Sequence, residues 1–164
     1  MAVRTVADLF VHELSDTYSA EKQMTKSLPR MARAAANEQL AQAFLDHLEE
    51  TRGQVERIDQ VVELLNLKLK RIKCAAMEGL IEEGKELIDE IDKGPVLDVA
   101  LIGAAQKVEH YEIASYSTLI TLASKLGYSA AMPLLQASLD EEKSTDEKLG
   151  KLGQSAAIED AKAA

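Results

Sequence analysis

Several acidic side chains stand where an apolar helix face would otherwise run. On a spacing of three and four residues, Glu21 interrupts the stripe Phe10, Leu14, Thr17, Met24, Leu28. Glu109 and Glu112 interrupt Ile102, Ala105, Tyr116, Leu119, Ala123, and Glu142 and Asp146 interrupt Leu135, Leu139, Leu149. A fourth stripe, Leu40, Ala43, His47, Glu50, Gln54, Val61, is polar at its middle and runs beside an ordinary core stripe from Phe44 to Val62. Ionised carboxylates buried together lose hydration and repel one another. No Lys or Arg occupies these central positions except Arg57, at the edge of its helix. A pair of metal ions is the simplest source of the missing positive charge, and oxygen-rich ligation suits iron or manganese better than structural zinc. The expected ligands are Glu21, Glu50, Gln54, Glu109, Glu112, Glu142 and Asp146.

The elements that must carry these residues follow from composition and punctuation. The chain has 164 residues, 46% apolar, enough for one domain with one core. Aromatic residues make up 4%, Trp is absent, and there are 3 Pro and 8 Gly, a composition that excludes an all-β fold and calls for long helices. Thr5 and Asp8 form a capping box that opens a first helix reaching about Ala36, with a kink at Pro29. Asn37 caps a second helix to about Asn66. A short amphipathic helix over about 75–91 precedes the stop-and-start pair Gly94-Pro95. A helix from Pro95 to Leu126, a C-terminal Gly127, Ser129 as the next N-cap and a helix over about 130–152 complete the pattern. One domain over 1–153 and a flexible tail over 154–164 are expected.

Tight turns make each flanking helix pair an antiparallel hairpin. The middle connection of about 30 residues can cross the full length of a bundle and return. Two hairpins with one long crossover define the all-α, ferritin-like four-helix bundle, here with a short fifth helix in the crossover. Counting from the turns, Glu21 lies 16 residues before Asn37 and Glu50 lies 13 after it, while Glu112 and Glu142 lie 15 either side of Gly127. At ~1.5 Å per residue these carboxylates share one mid-bundle layer. The di-metal pattern of such bundles uses Glu-x-x-His on two helices. This chain departs from it, with Gly53 three after Glu50 and Thr145 three after Glu142. His47 is either a ligand or a hydrogen-bond donor behind one. Tyr18 and Tyr116 flank the acids and either bond them, undergo oxidation or fill the core. His110 points to the surface, and Cys74 is a half-buried connector thiol.

Acidic residues number 28 against 19 basic, a formal net charge of −9. That balance argues against nucleic acid and anionic membrane as partners. The run Lys68, Lys70, Arg71, Lys73 is too short to argue otherwise. No targeting segment or spanning stretch is legible, so a cytoplasmic protein is expected.

The segments LSDTYSAEKQ (14–23), HLEETRGQVER (47–57), KCAAMEGL (73–80), VEHYEIASY (108–116) and LDEEK (139–143) resemble the YciF-type bacterial stress proteins of the ferritin-like superfamily. The resemblance covers about residues 3–153 in order. It implies a ferritin-like fold, a homodimer, a dinuclear metal site and a part in stress responses. It bears on the reaction less than on the site. Redox chemistry on O2, peroxide or Fe(II), and a non-catalytic role with a structural metal, are both open at this point.

Overall fold

The Thr5 hydroxyl accepts from Asp8 N, and the Asp8 carboxylate accepts from the Thr5 backbone N–H, both at 3.0 Å. This capping box starts α1, Val6–Ala34, in a computed structural model that describes residues 2–155. The remaining elements are α2 (Glu38–Leu64), α3 (Ala75–Glu90), α4 (Pro95–Leu126) and α5 (Met132–Gly153). The expected tail lies outside the described residues beyond Ser155. α1 continues through Pro29. It stops two residues short of the expected end because the buried Asp98 carboxylate takes the Ala36 and Asn37 N–H groups at 2.7 and 2.9 Å. α2 ends at Leu64, before Asn66 enters the left-handed region (φ 49°). α5 starts later than expected. Ser129 caps nothing; a run of tight turns leads from Gly127 (φ 70°) to Ala131, and Pro133 sits in the first turn of α5.

Four long helices form the bundle, with α1 and α4 adjacent and α2 and α5 adjacent across from them. Asp98 ties the start of α4 to the α1–α2 turn. At the opposite end, Phe10 packs edge-on against Tyr128 of the α4–α5 turn, with centroids 5.3 Å apart. Neighbouring long helices therefore all run antiparallel. The crossover traverses the bundle once and does not return. Its first part climbs along α1, with Lys70 N on the Ser15 hydroxyl and Cys74 N on the Ser19 hydroxyl, both at 2.9 Å. α3, whose N-terminus is capped by the buried Cys74 thiol, completes the climb against α1 and α4. A 16-residue helix spans ~24 Å, so the extended stretch and α3 together use up the length available.

The apolar core is divided in two. One cluster gathers Met24, Leu28, Phe44, Leu101 and Leu149; the other gathers Phe10, Leu14, Ile58, Leu119 and Leu135. Between them, in sequence on every long helix, lie the buried polar residues Glu21, His47, Thr51, Gln54, Glu109, Glu112, Glu142 and Thr145. Among the described residues no helix is long and apolar enough to cross a membrane.

Asp98 is 2% exposed and satisfies two N–H groups at the α1–α2 turn. Asp98→Ala should cost roughly 2–4 kcal/mol in urea unfolding, since it orphans both donors, and Asp98→Asn, which keeps one acceptor, should cost about half as much. Equal costs would show that the carboxylate acts only by packing.

A candidate metal centre

Each long helix delivers its polar residues to the layer for the same reason. A glutamate in an otherwise apolar stripe is carried inward by the burial of its neighbours one turn above and below. Glu109 and Glu112 on α4, Glu142 on α5 and His47 on α2 each present a ligand atom, and these atoms all lie within 4.8 Å of one another. His47 Nε2 is 3.1 Å from Glu109 Oε1 and 3.9 Å from Glu142 Oε2. Glu21 on α1 is fully buried beside them, and its Oε1 accepts from the Tyr116 hydroxyl at 2.5 Å. Behind the ring, His47 Nδ1 is 3.5 Å from both Glu50 Oε2 and Thr145 Oγ1.

Eight buried side-chain atoms have no hydrogen-bond partner among the described residues, and every one belongs to this layer. They are both oxygens of Glu112 and Glu142, one oxygen each of Glu21, Glu109 and Gln54, and Nε2 of His47. Buried polar atoms are otherwise almost always paired. Arg57 does not relieve the deficit. It forms a two-pronged pair with Glu141, at 2.5 and 2.7 Å, and Glu141 also accepts from Gln54 Nε2 at 3.0 Å. These carboxylate oxygens, with the His47 nitrogen once it gives up the proton it shares toward Glu109, make a donor set that fits a hard or borderline divalent ion.

Of the seven expected ligands, Glu109, Glu112 and Glu142 come together with His47, and Glu21 and Gln54 each turn an unpaired oxygen into the same layer. Glu50 and Asp146 are not brought into the cluster. Asp146 accepts from Gln106 Nε2 at 3.2 Å and His110 Nε2 at 3.1 Å on the outer edge of the α4–α5 pair. A step of four residues over-rotates a helix by ~40°, which carries Asp146 off the line of Glu142. Glu50 is 29% exposed and accepts from Thr145 Oγ1 at 3.1 Å. On α2 the inward position is held by His47, 2% exposed. The signal for it was the His-x-x-Glu spacing on a polar stripe, which does not say which of the two points inward. Tyr116 bonds a member of the layer, whereas His110 is a surface residue.

Electrostatics follow from burial. Desolvation pushes the Glu21 carboxyl up to about 7, against the Tyr116 hydrogen bond and His47, which both favour its ionised form. Burial also raises Glu112 well above the ordinary range, helped by Glu21 and Glu109, and raises Glu142, helped by Glu112. For His47, burial disfavours the cation, but Glu109 outweighs it and the imidazole is held protonated well above its usual range. A hydrogen bond from His47 lowers Glu50. One imidazolium cannot balance several carboxylates, so protons or metal must supply the rest. On the α2–α5 side, His47, Glu50 and Thr145 form part of the wall of a groove of about 580 Å³.

Comparison with known proteins gives the arrangement its context. The family model described as a domain of unknown function, DUF892, matches residues 5–162. The protein YciF of Escherichia coli (strain K12) is 64% identical over 150 residues, covering 91% of this chain and 90% of that one. The crystal structure of that E. coli stress protein superposes with a TM-score of 0.90, covering 92% of this chain and 96% of the other. YcfI from Rhodopseudomonas palustris, 46% identical, gives 0.86 with coverages of 90% and 94%. A Xanthomonas campestris protein at 22% identity shares the fold, with a TM-score of 0.74.

Carboxylates raised on folding, and an imidazole raised on folding, act in the same direction. Each contributes stability at pH values below its unfolded pKa and loses it as pH rises through the folded value. The metal-free protein should therefore be more stable near pH 5 than near pH 8, by a few kcal/mol. Urea unfolding in chelator across that range tests this, and a flat or rising profile would contradict it.

Proposed function

The chain belongs to the DUF892 family, and on that premise we propose that it is a ferritin-like protein with a dinuclear carboxylate site for iron or manganese. The observation that carries this reading is that every unpaired buried side-chain nitrogen or oxygen among the described residues falls in one layer supplied by all four long helices. His47, Glu109, Glu112 and Glu142 would hold the first ion. Glu112 and Glu142 each have a second unpaired oxygen, and with Glu21 and Gln54 they offer donors for another.

Bound iron or manganese supplies one-electron redox capacity and Lewis acidity, suited to O2 or peroxide as oxidant and Fe(II) as a further substrate. The chain's own residues set the conditions. The two apolar clusters above and below keep bulk water from the layer. Tyr116 fixes the Glu21 carboxylate through Oε1, which leaves Oε2 for an ion. Loading would displace protons from Glu21, Glu112 and Glu142, where burial holds them, and from His47, where Glu109 holds one. Asp46 and Glu50 share the α2–α5 groove with Lys148 and Lys151, so its lining carries both signs of charge beside His47. The relation to an E. coli stress protein supports a part in stress responses.

A second reading keeps the metal but not the turnover: four helices tied to one centre gain stability whether or not chemistry follows. Anaerobic loading with Fe(II) or Mn(II), followed by metal analysis and peroxide addition, separates the two. The proposal expects about two ions per chain and peroxide-dependent oxidation, with His47→Ala losing most of the bound metal. Bound metal without oxidation would establish the structural reading. No bound metal after loading would remove both.

Metal uptake should also release protons. In weakly buffered solution at pH 6, Mn(II) addition is expected to acidify the wild type measurably and Glu112→Gln far less. Equal release from the two proteins would argue against Glu112 as a ligand.

A further inference from the structure

A second feature lies outside the polar layer. Between α1, α3 and α4 is a cleft of about 390 Å³. Its walls are apolar, with Met24, Met31, Leu80, Ile81, Ile88 and Val108. Its polar lining includes Lys26, Arg30, Lys73 and Lys85 and no carboxylate. Gln23, Lys26 and Lys73 are shared with a neighbouring groove of about 620 Å³ along α1 and the crossover. That groove adds Lys22, Lys70 and Arg71, again with no carboxylate. Arg30, Lys73 and Lys85 are paired with Asp89, Glu78 and Glu82, none of which lines the cleft. Lys22, Lys26, Lys70 and Arg71 have no carboxylate within 4.0 Å among the described residues.

In a chain of net charge −9, this is a local reversal of sign beside an apolar slot of the size that takes small molecules. An apolar slot alone would accept any greasy surface, and a basic groove alone any anion. Joined through Lys26 and Lys73, they match a ligand with an apolar tail and an anionic head. Methionine walls adapt to flexible chains, and lysine stems add apolar surface beneath their charged ends. We propose that the joined cleft and groove bind a free fatty acid, with the acyl chain against Met24, Met31, Ile81 and Ile88 and the carboxylate at Lys26, which no carboxylate of the described residues holds.

Gly84 supplies a direct test. It lines the cleft on α3, and a Cβ there would lie 4.0 Å from the Ala104 Cβ, an ordinary contact. A Cβ at this position meets no backbone within 4 Å beyond that contact, a longer side chain would add volume to the cleft lining, and leaving glycine favours the helix. Titration calorimetry of the full chain with dodecanoate, below its micelle concentration, should give saturable binding of one molecule per chain. Gly84→Leu should weaken it at least tenfold, while Gly84→Ala retains the wild-type fold. Lys26→Glu, at a surface position, should weaken it about threefold at low salt and less at high salt. Dodecyltrimethylammonium should bind at least tenfold more weakly than dodecanoate, although the chain's overall charge favours the cation. Absence of saturable binding, equal binding of the two amphiphiles, or unchanged affinity in both variants would overturn the proposal. So would light scattering that shows a second copy of the chain covering the cleft, released by Gly84→Leu. Metal loading should be the same in the cleft variants as in the wild type, so failure here leaves the metal centre untouched.

Discussion

Desolvation of clustered carboxylates is the interaction on which the rest of this structure depends. Glu21, Glu112 and Glu142 are 0% exposed and Glu109 is 1% exposed. Taking several such groups out of water within a few ångströms of one another is opposed both by lost hydration and by mutual repulsion. Arg57, whose charge acts on Glu21 and Tyr116, is held by Glu141. What the layer retains is His47 and a set of unpaired oxygens. A core arranged this way is poorly satisfied without an added positive charge.

The bundle is built so that this cost falls in one place. Two apolar clusters flank the layer, and each long helix passes from one cluster to the other. Antiparallel hairpins bring residues equidistant from a turn to the same height, which is why Glu112 and Glu142 meet. The long crossover lets both hairpins point their acidic midpoints at one axis. Asp98 secures the geometry at one end by bonding the α1–α2 turn to the start of α4. The crossover has a second consequence. α3 leans on α1 and α4 without filling the space between them, and the cleft with its basic border results.

Much of this was legible in residue spacing. An acid on a stripe whose other members are mostly Phe, Leu, Ile, Ala, Met or Tyr is turned toward the core by their burial, so Glu21, Glu109, Glu112 and Glu142 were legible. Helix starts were legible at Thr5, Asn37 and Pro95 because side-chain chemistry or ring geometry marks them. Where helices stop depended on distant groups. Nothing near Ala36 announces that Asp98 will take its N–H, and Ser129 looked like a cap although Pro133 and a turn moved the start of α5. The placements of His47, Glu50 and Asp146 turned on rotations of 40–60°, less than a side chain's own reach. Spacing along one helix does not resolve that. The α1–α3–α4 cleft was hidden for another reason: it belongs to the packing of three elements distant in sequence.

The proposed function requires the layer to hold metal rather than to be a set of buried acids tolerated for another purpose. Thermal unfolding of the wild type and Glu112→Gln, each with Mn(II) and with chelator at pH 8, tests it most directly. Without metal, replacing one carboxyl of the crowded layer by a neutral amide should leave the variant at least as stable as the wild type. With metal, the wild type should gain several degrees and the variant little, so the order of stability reverses. If both proteins respond to metal alike, or neither responds, the layer is not the site of binding and the account is contradicted.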